Sequence, residues 1–238
     1  MEKAFLDFLE GIMPEGTSSE SLLRQFAAYA RLIEEWSKKF NLVSRGDLAK
    51  LWGRDFQDSL TPAQIFPQLS FERAIDVGSG AGFPGIPLNI LWPERKFILL
   101  ETTAKKCRFL REVLASLSLN ESRVVSERAE TLGKDPEYRE GFDLALARAL
   151  AHPSTALELV MPFVKVGGRA LFWASGLEWD QASKISRISE ALGSVPEQTR
   201  PYRLPEEPRE RKLILIRKKI PTDLKYPRRV GIPQKNPM

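Results

Sequence analysis

A chain of 238 residues, 42% hydrophobic and 28% charged, can bury a sizeable core and has the makeup of an ordinary soluble globular protein. One Cys, Cys107, excludes an internal disulfide and fits a reducing cytoplasm, and with one His, His152, it cannot build a Cys/His zinc site. The net charge of +5 is unevenly placed: Arg200 to Met238 hold twelve Lys/Arg and four Asp/Glu, a net +8, while the preceding 199 residues hold 24 bases against 27 acids. That asymmetry points the C-terminal sixth toward a polyanion.

Taken in chain order, the first 65 residues read as helical. A short helix is expected over Lys3 to Ile12. Acids interrupt its apolar residues, so it is not a signal peptide, and no apolar run reaches the roughly 18 residues of a membrane span. From Ser19 to Phe40, Leu22, Phe26, Tyr29, Ile33, Trp36 and Phe40 recur at three- and four-residue steps. This spacing predicts an amphipathic helix that Ser18 or Ser19 caps. A further helix is expected over Leu48 to Leu60.

From Phe71 the pattern alternates. Strands are expected at Arg73 to Val77, Lys96 to Leu100, Arg123 to Ser126, Phe142 to Arg148, Arg169 to Ala174 and Lys212 to Arg217, with helices at Ala104 to Leu117 and Asp180 to Leu192. Strands separated by helices imply βαβ units in a largely parallel, doubly wound α/β sheet, with ligands beyond its carboxyl ends. The organisation expected is a helical extension over 1–65, the α/β domain over 66–220, and a basic tail over 221–238 packed on or near the active site.

The first strand runs into Asp76-Val77-Gly78-Ser79-Gly80-Ala81-Gly82-Phe83. Glycines let ligand atoms approach the backbone. Their spacing at 78, 80 and 82 is not the Gly-x-Gly-x-x-Gly of a dinucleotide site, and Pro84 and Pro87 crowd the place where its pyrophosphate-binding helix would start. S-adenosylmethionine, which has no pyrophosphate, suits such a loop. Glu101, at the end of the second strand, is placed to accept hydrogen bonds from ribose hydroxyls rather than to serve as an ordinary strand-end acid. Phe83 can pack on the cofactor or in the core. Cys107 lies on a helical apolar stripe and reads as a buried thiol, and His152, before Pro153, as a turn residue.

The run from Asp76 to Leu88 closely resembles the signature of the bacterial small-subunit (16S) ribosomal RNA guanine-N7 methyltransferases, the glucose-inhibited division protein B family. Further matches follow in family order: Lys39-Phe40-Asn41-Leu42, Asp58-Ser59-Leu60, Arg128-Ala129-Glu130, Ala147-Arg148-Ala149 and Lys225-Tyr226-Pro227-Arg228-Arg229, then Gly231, Pro233 and Lys235. Asp55 is a departure, since the family usually has His there. The resemblance implies a Rossmann-like class I methyltransferase sheet with an N-terminal helical extension. It also implies S-adenosylmethionine contacts at Gly78, Gly80, Phe83, Glu101, Thr102, Thr103, Ala129, Glu130 and Arg148, and small-subunit ribosomal RNA or a ribosomal particle as partner. Ala129 and Glu130 follow the third strand, where a backbone amide can read adenine. Arg148, ending the fourth, would face the methyl-transfer region and is the nearest candidate for a catalytic residue, although from the residues alone a structural salt bridge is equally credible.

Guanine N7 has an in-plane lone pair and no proton to lose, so positioning matters more than a general base. An adenine-N6 enzyme would carry Asn/Asp-Pro-Pro-aromatic where this chain has Arg148-Ala149-Leu150-Ala151-His152-Pro153, and Cys107 is not placed as a cytosine-C5 nucleophile. RNA contacts are expected at Tyr226, Arg228, Arg229 and Lys235, where cations and an aromatic ring can meet phosphates and bases. A cytoplasmic, monomeric protein without metal is expected. Two other readings stay open: a nicotinamide enzyme, against which the loop spacing speaks, and an inactive RNA binder, against which the intact loop with Glu101 speaks.

Overall fold

The computed structural model describes residues 2–40, 42–174, 177–205, 207 and 209–238. Four N-terminal helices come first: α1 (Glu2–Glu10), α2 (Ser19–Lys39), α3 (Arg45–Leu48) and α4 (Gln57–Ile65), the last entered through a π-helical turn over Leu51–Phe56. The Ser18 side chain accepts from the Ser21 amide to start α2, and Lys38 and Lys39 sit in its last turn, where cations oppose the helix dipole. Its stripe of Leu22, Phe26, Tyr29 and Ile33 is buried. The helix expected over 48–60 is divided instead, because the chain widens into the π turn before α4 begins.

The α/β part follows as β1 (Arg73–Val77), α5 (Gly85–Leu91), β2 (Lys96–Glu101), α6 (Ala104–Ser116), β3 (Arg123–Ser126), α7 (Ala129–Leu132), β4 (Phe142–Arg148), α8 (Pro153–Val160), β5 (Val164–Ala174), α9 (Ala182–Ala191), β6 (Ser194–Tyr202), β7 (Arg211–Lys218) and α10 (Ile232–Lys235). The seven strands run in the order β3-β2-β1-β4-β5-β7-β6. The pairs among β1 to β5 are parallel, and β7 pairs antiparallel with both β5 and β6. Alternate residues of each strand feed two cores. Ala74, Leu99, Leu144 and Leu146 face the N-terminal helices, α5 and α6, and Ile75, Val77, Ala145 and Ala147 face α8 and α9. On the first side Tyr29 and Phe56 stack at 5.5 Å, and Phe26 packs on Phe56 at 5.1 Å, so the N-terminal helices share a core with the sheet.

Besides the short helices α3, α7 and α10, three longer elements escaped sequence patterning. The β6 strand contains Pro196, Glu197, Gln198 and Pro201 and reads as a loop, but it lies at the sheet edge, where proline costs no ladder bond. The helices α5 and α8 are buried at every position, so neither shows an amphipathic stripe. The prolines expected to crowd the start of a helix are no obstacle to α5: Pro84 precedes it and Pro87 stands in its first turn, where no intrahelical donor is needed.

Candidate active site

The glycine loop is held from two sides. The amides of Gly78 and Ser79 both donate to the Leu100 carbonyl, at 2.9 and 3.0 Å, which ties the loop to β2. From beneath, the buried Tyr29 hydroxyl of α2 donates to the Ala81 carbonyl at 2.5 Å. Gly78 has a φ of +77°, and a Cβ there would lie 2.5 Å from Leu150 Cδ1. Gly82 has a φ of +98°, and its Cβ would meet the Tyr29 hydroxyl. A side chain is therefore strained at both positions, and at Gly82 it would also collide with the buried Tyr29 hydroxyl.

Two carboxylates flank this loop. Asp76 is fully buried; its Oδ2 accepts from the Gly85 amide at 3.1 Å, and its Oδ1 has no partner. Burial pushes its carboxyl up to about 7, against the Gly85 hydrogen bond. Glu101 behaves in the opposite way. Burial opposes its charge, yet hydrogen bonding at Thr103, the charge of Lys106 and the Gly80 amide together hold it below the usual carboxylate range. It accepts from Gly80 at 3.0 Å and from the Thr102 and Thr103 amides at 2.8 Å each, and so locks two loops together.

Gly78, Glu101, Thr102, Ala129, Glu130 and Leu150 line one cleft at the carboxyl end of the sheet. Thr103 stands at the N-terminal end of α6 just beyond it, and Gly80 reaches it through Glu101. Phe83 is half-buried on the other side of the loop, packed against Tyr29 and Phe56. A second cavity, of about 300 Å³, is lined by Leu150, His152, Pro153, Phe172, Trp173 and Trp179, and Leu150 forms a wall of both. His152 caps α8 by accepting from the Ser154 amide, and Cys107 is buried with its Sγ against the Glu101 carbonyl, so both act structurally here.

Arg148, at the end of β4, lines neither cavity and stands in a buried charge cluster. Its Nε pairs with Asp58 at 2.9 Å and its Nη2 with Asp55 at 2.6 Å, while the guanidinium lies 5.5 Å over the Phe83 ring. Asp55 also pairs with Arg54 at 2.7 Å, and the fully buried Asp58 takes Arg211 at 3.3 Å and the Tyr202 hydroxyl. Asp55 lies in the π turn and Asp58 in the first turn of α4, and both reach Arg148. Sequence reasoning placed Arg148 but not Asp55, Asp58, Tyr202 or Arg211 around it. The available signal was the pair of acids three residues apart within Arg54-Asp55-Phe56-Gln57-Asp58.

The tail returns to the same end of the molecule. Arg228 is turned inward: its Nε and Nη2 grip the fully buried Glu158, and Nη2 also donates to the Asn236 carbonyl. Tyr226 is half-buried with its carbonyl taken by Arg139, whereas Arg229 and Lys235 are exposed. The Gly231 amide donates to Glu130 Oε1 at 2.9 Å.

A five-strand parallel run closed by an antiparallel β7, with a glycine loop after β1 and an acid ending β2, is the Rossmann-like fold of class I methyltransferases. Among solved structures, a protein assigned as an O-methyltransferase from Klebsiella pneumoniae shares it with a TM-score of 0.59 at 10% identity, over 92% of this chain and 97% of that one. So does the branched-chain polyamine synthase of Thermus thermophilus, with a TM-score of 0.57 at 13% identity over 82% and 64%. At the level of sequence, the model of the rRNA small subunit methyltransferase G family matches residues 22–199. Relatives named ribosomal RNA small subunit methyltransferase G are 40% identical in Dictyoglomus thermophilum (100% of this chain, 99% of that protein) and 37% in Acetivibrio thermocellus (97% of each). The chain belongs to this family of methyltransferases.

Proposed function

We propose that the protein transfers a methyl group from S-adenosylmethionine to N7 of a guanine in small-subunit (16S) ribosomal RNA. Two pockets that meet at Leu150, at the carboxyl ends of the parallel strands, support this most directly. The cleft beside Gly78 suits a nucleoside donor. It offers the bare Gly78 backbone, the Glu101 carboxylate and the Glu130 carboxylate, and below its loop the Asp76 Oδ1 lies buried without a partner. Gly78, Glu101, Thr102, Thr103, Ala129 and Glu130 would hold the donor, which when bound supplies an electrophilic methyl on a sulfonium, while Phe83 packs in the core behind the loop. The second pocket, lined by Phe172, Trp173 and Trp179, offers aromatic side chains beside a purine.

Because N7 carries no proton, these residues have to orient the base and exclude water rather than deprotonate it. Arg148 lines neither pocket; with three hydrogen-bonding sites directed at Asp55, Asp58 and Ser59 it is held rigid with its charge balanced, and would act on the site through the Phe83 ring that it covers. For RNA, Arg229 and Lys235 are the tail cations free to meet phosphate, with Tyr226 beside them, whereas Arg228 serves the fold. The test is transfer of radiolabelled methyl to small-subunit rRNA or particles lacking the modification, with nucleoside analysis. Label in 7-methylguanosine is expected, and cofactor binding without transfer to any ribosomal substrate would overturn the assignment.

A further inference from the structure

We propose that the C-terminal strap over residues 221–236 is a working part of the cofactor cleft: the Gly231 amide sets the Glu130 carboxylate, and a ligand bound beside Glu130 tightens the strap in return. This rests on the reading that the cleft takes S-adenosylmethionine. Glu130 is 7% exposed, lines that cleft, and among the described residues has no ion-pair partner. Among the described residues, its side chain takes one hydrogen bond, from an amide 101 positions away in sequence. A carboxylate can accept about four hydrogen bonds, so capacity remains for a donor such as an amino group on the ligand.

The strap is built to hold Gly231 in place. Upstream, Arg228 grips Glu158, and downstream the Thr155 hydroxyl donates to the Pro233 carbonyl at 2.8 Å. Both anchors stand on α8, which passes behind the cleft, so Gly231 is suspended between two fixed points. Further back, Arg139 donates to the carbonyls of Thr222, Asp223 and Tyr226. Gly231 is thus a positioning residue acting through Glu130. Linkage requires the effect to run both ways: whatever affinity the strap adds to the ligand, the ligand adds to strap docking. Arg229 and Lys235 lie on the same strap, so phosphate bound there acts on the element that sets Glu130.

The full chain is tested with S-adenosylhomocysteine as probe. Hydrogen exchange across residues 226–236 should slow several-fold at saturation, and calorimetry should show about tenfold weaker binding for a chain ending at Arg229, the scale of one charge-assisted hydrogen bond. Thr155→Val, which loosens the strap without touching the cleft, should weaken binding about threefold. Unchanged strap exchange at saturation, or wild-type affinity in both variants, overturns the proposal while leaving the cofactor reading intact. If the wild-type chain binds no S-adenosylhomocysteine at all, the cofactor reading itself falls.

Discussion

Replacing Asp58 by Asn removes the negative charge that Arg148, Arg211 and the Tyr202 hydroxyl share, at a position with no solvent exposure. Asn can still accept one hydrogen bond, but its amide presents a donor to guanidinium donors. Deleting one partner of a buried ion pair costs about 3–5 kcal/mol. The lower end applies, because Arg148 keeps Asp55 at 2.6 Å, Arg211 keeps Glu207 at 2.5 Å, and both arginine side chains retain some solvent contact. A loss of about 3 kcal/mol lowers the melting temperature of a chain of this size by about 6–12 °C. Arg148 also loses the anchor at its Nε, so methyl transfer should fall further than folding alone requires. Urea denaturation and melting of Asp58→Asn, Arg148→Met and the double variant measure the coupling directly, with about 1–3 kcal/mol expected between them. A melting shift below about 2 °C, with strictly additive effects in the double variant, would refute the claim that Asp58 holds Arg148.

Asp76 supplies a pH signature. Its folded carboxyl sits at about 7 against an ordinary value of 3.8, so its contribution to stability is in full below that lower value and is lost as pH rises through 7. Wild type should therefore lose up to about 4 kcal/mol relative to Asp76→Asn between pH 4 and 8, and parallel denaturation profiles would contradict it. In the tail, Arg228→Ala should lower the melting temperature, because it strands the buried Glu158. Arg229→Ala with Lys235→Ala should leave melting unchanged but weaken RNA binding and flatten its salt dependence by about two phosphate contacts; identical behaviour of the two variants would argue against separating them. Gly78→Ala places a Cβ against Leu150 at a positive φ and costs about 1–2 kcal/mol in conformation. It should weaken S-adenosylhomocysteine binding at least tenfold by calorimetry, with undiminished affinity counting against this cleft as the cofactor site.

Local patterns determined much of this protein. The strands β1 to β4, the helices α2 and α6, and the glycine loop between β1 and α5 follow from residues adjacent in the chain, since side-chain periodicity and φ preference act over a few positions. The order of these elements points to a doubly wound sheet and puts the loop at its carboxyl end. Tertiary structure decided what depends on burial or on distant partners. The helices α5 and α8 are wrapped on all sides and leave no periodic signal, and β6 is legible only as the edge strand beside β7. Arg148 was visible as a residue, but its chemistry is set by Asp55, 93 positions away, because charge pairs according to proximity in space. Arg228 and Arg229 are the plainest case. Nothing in their local sequence separates two adjacent arginines; one is structural and the other exposed because Glu158, 70 positions upstream, lies buried under the first and needs its charge balanced.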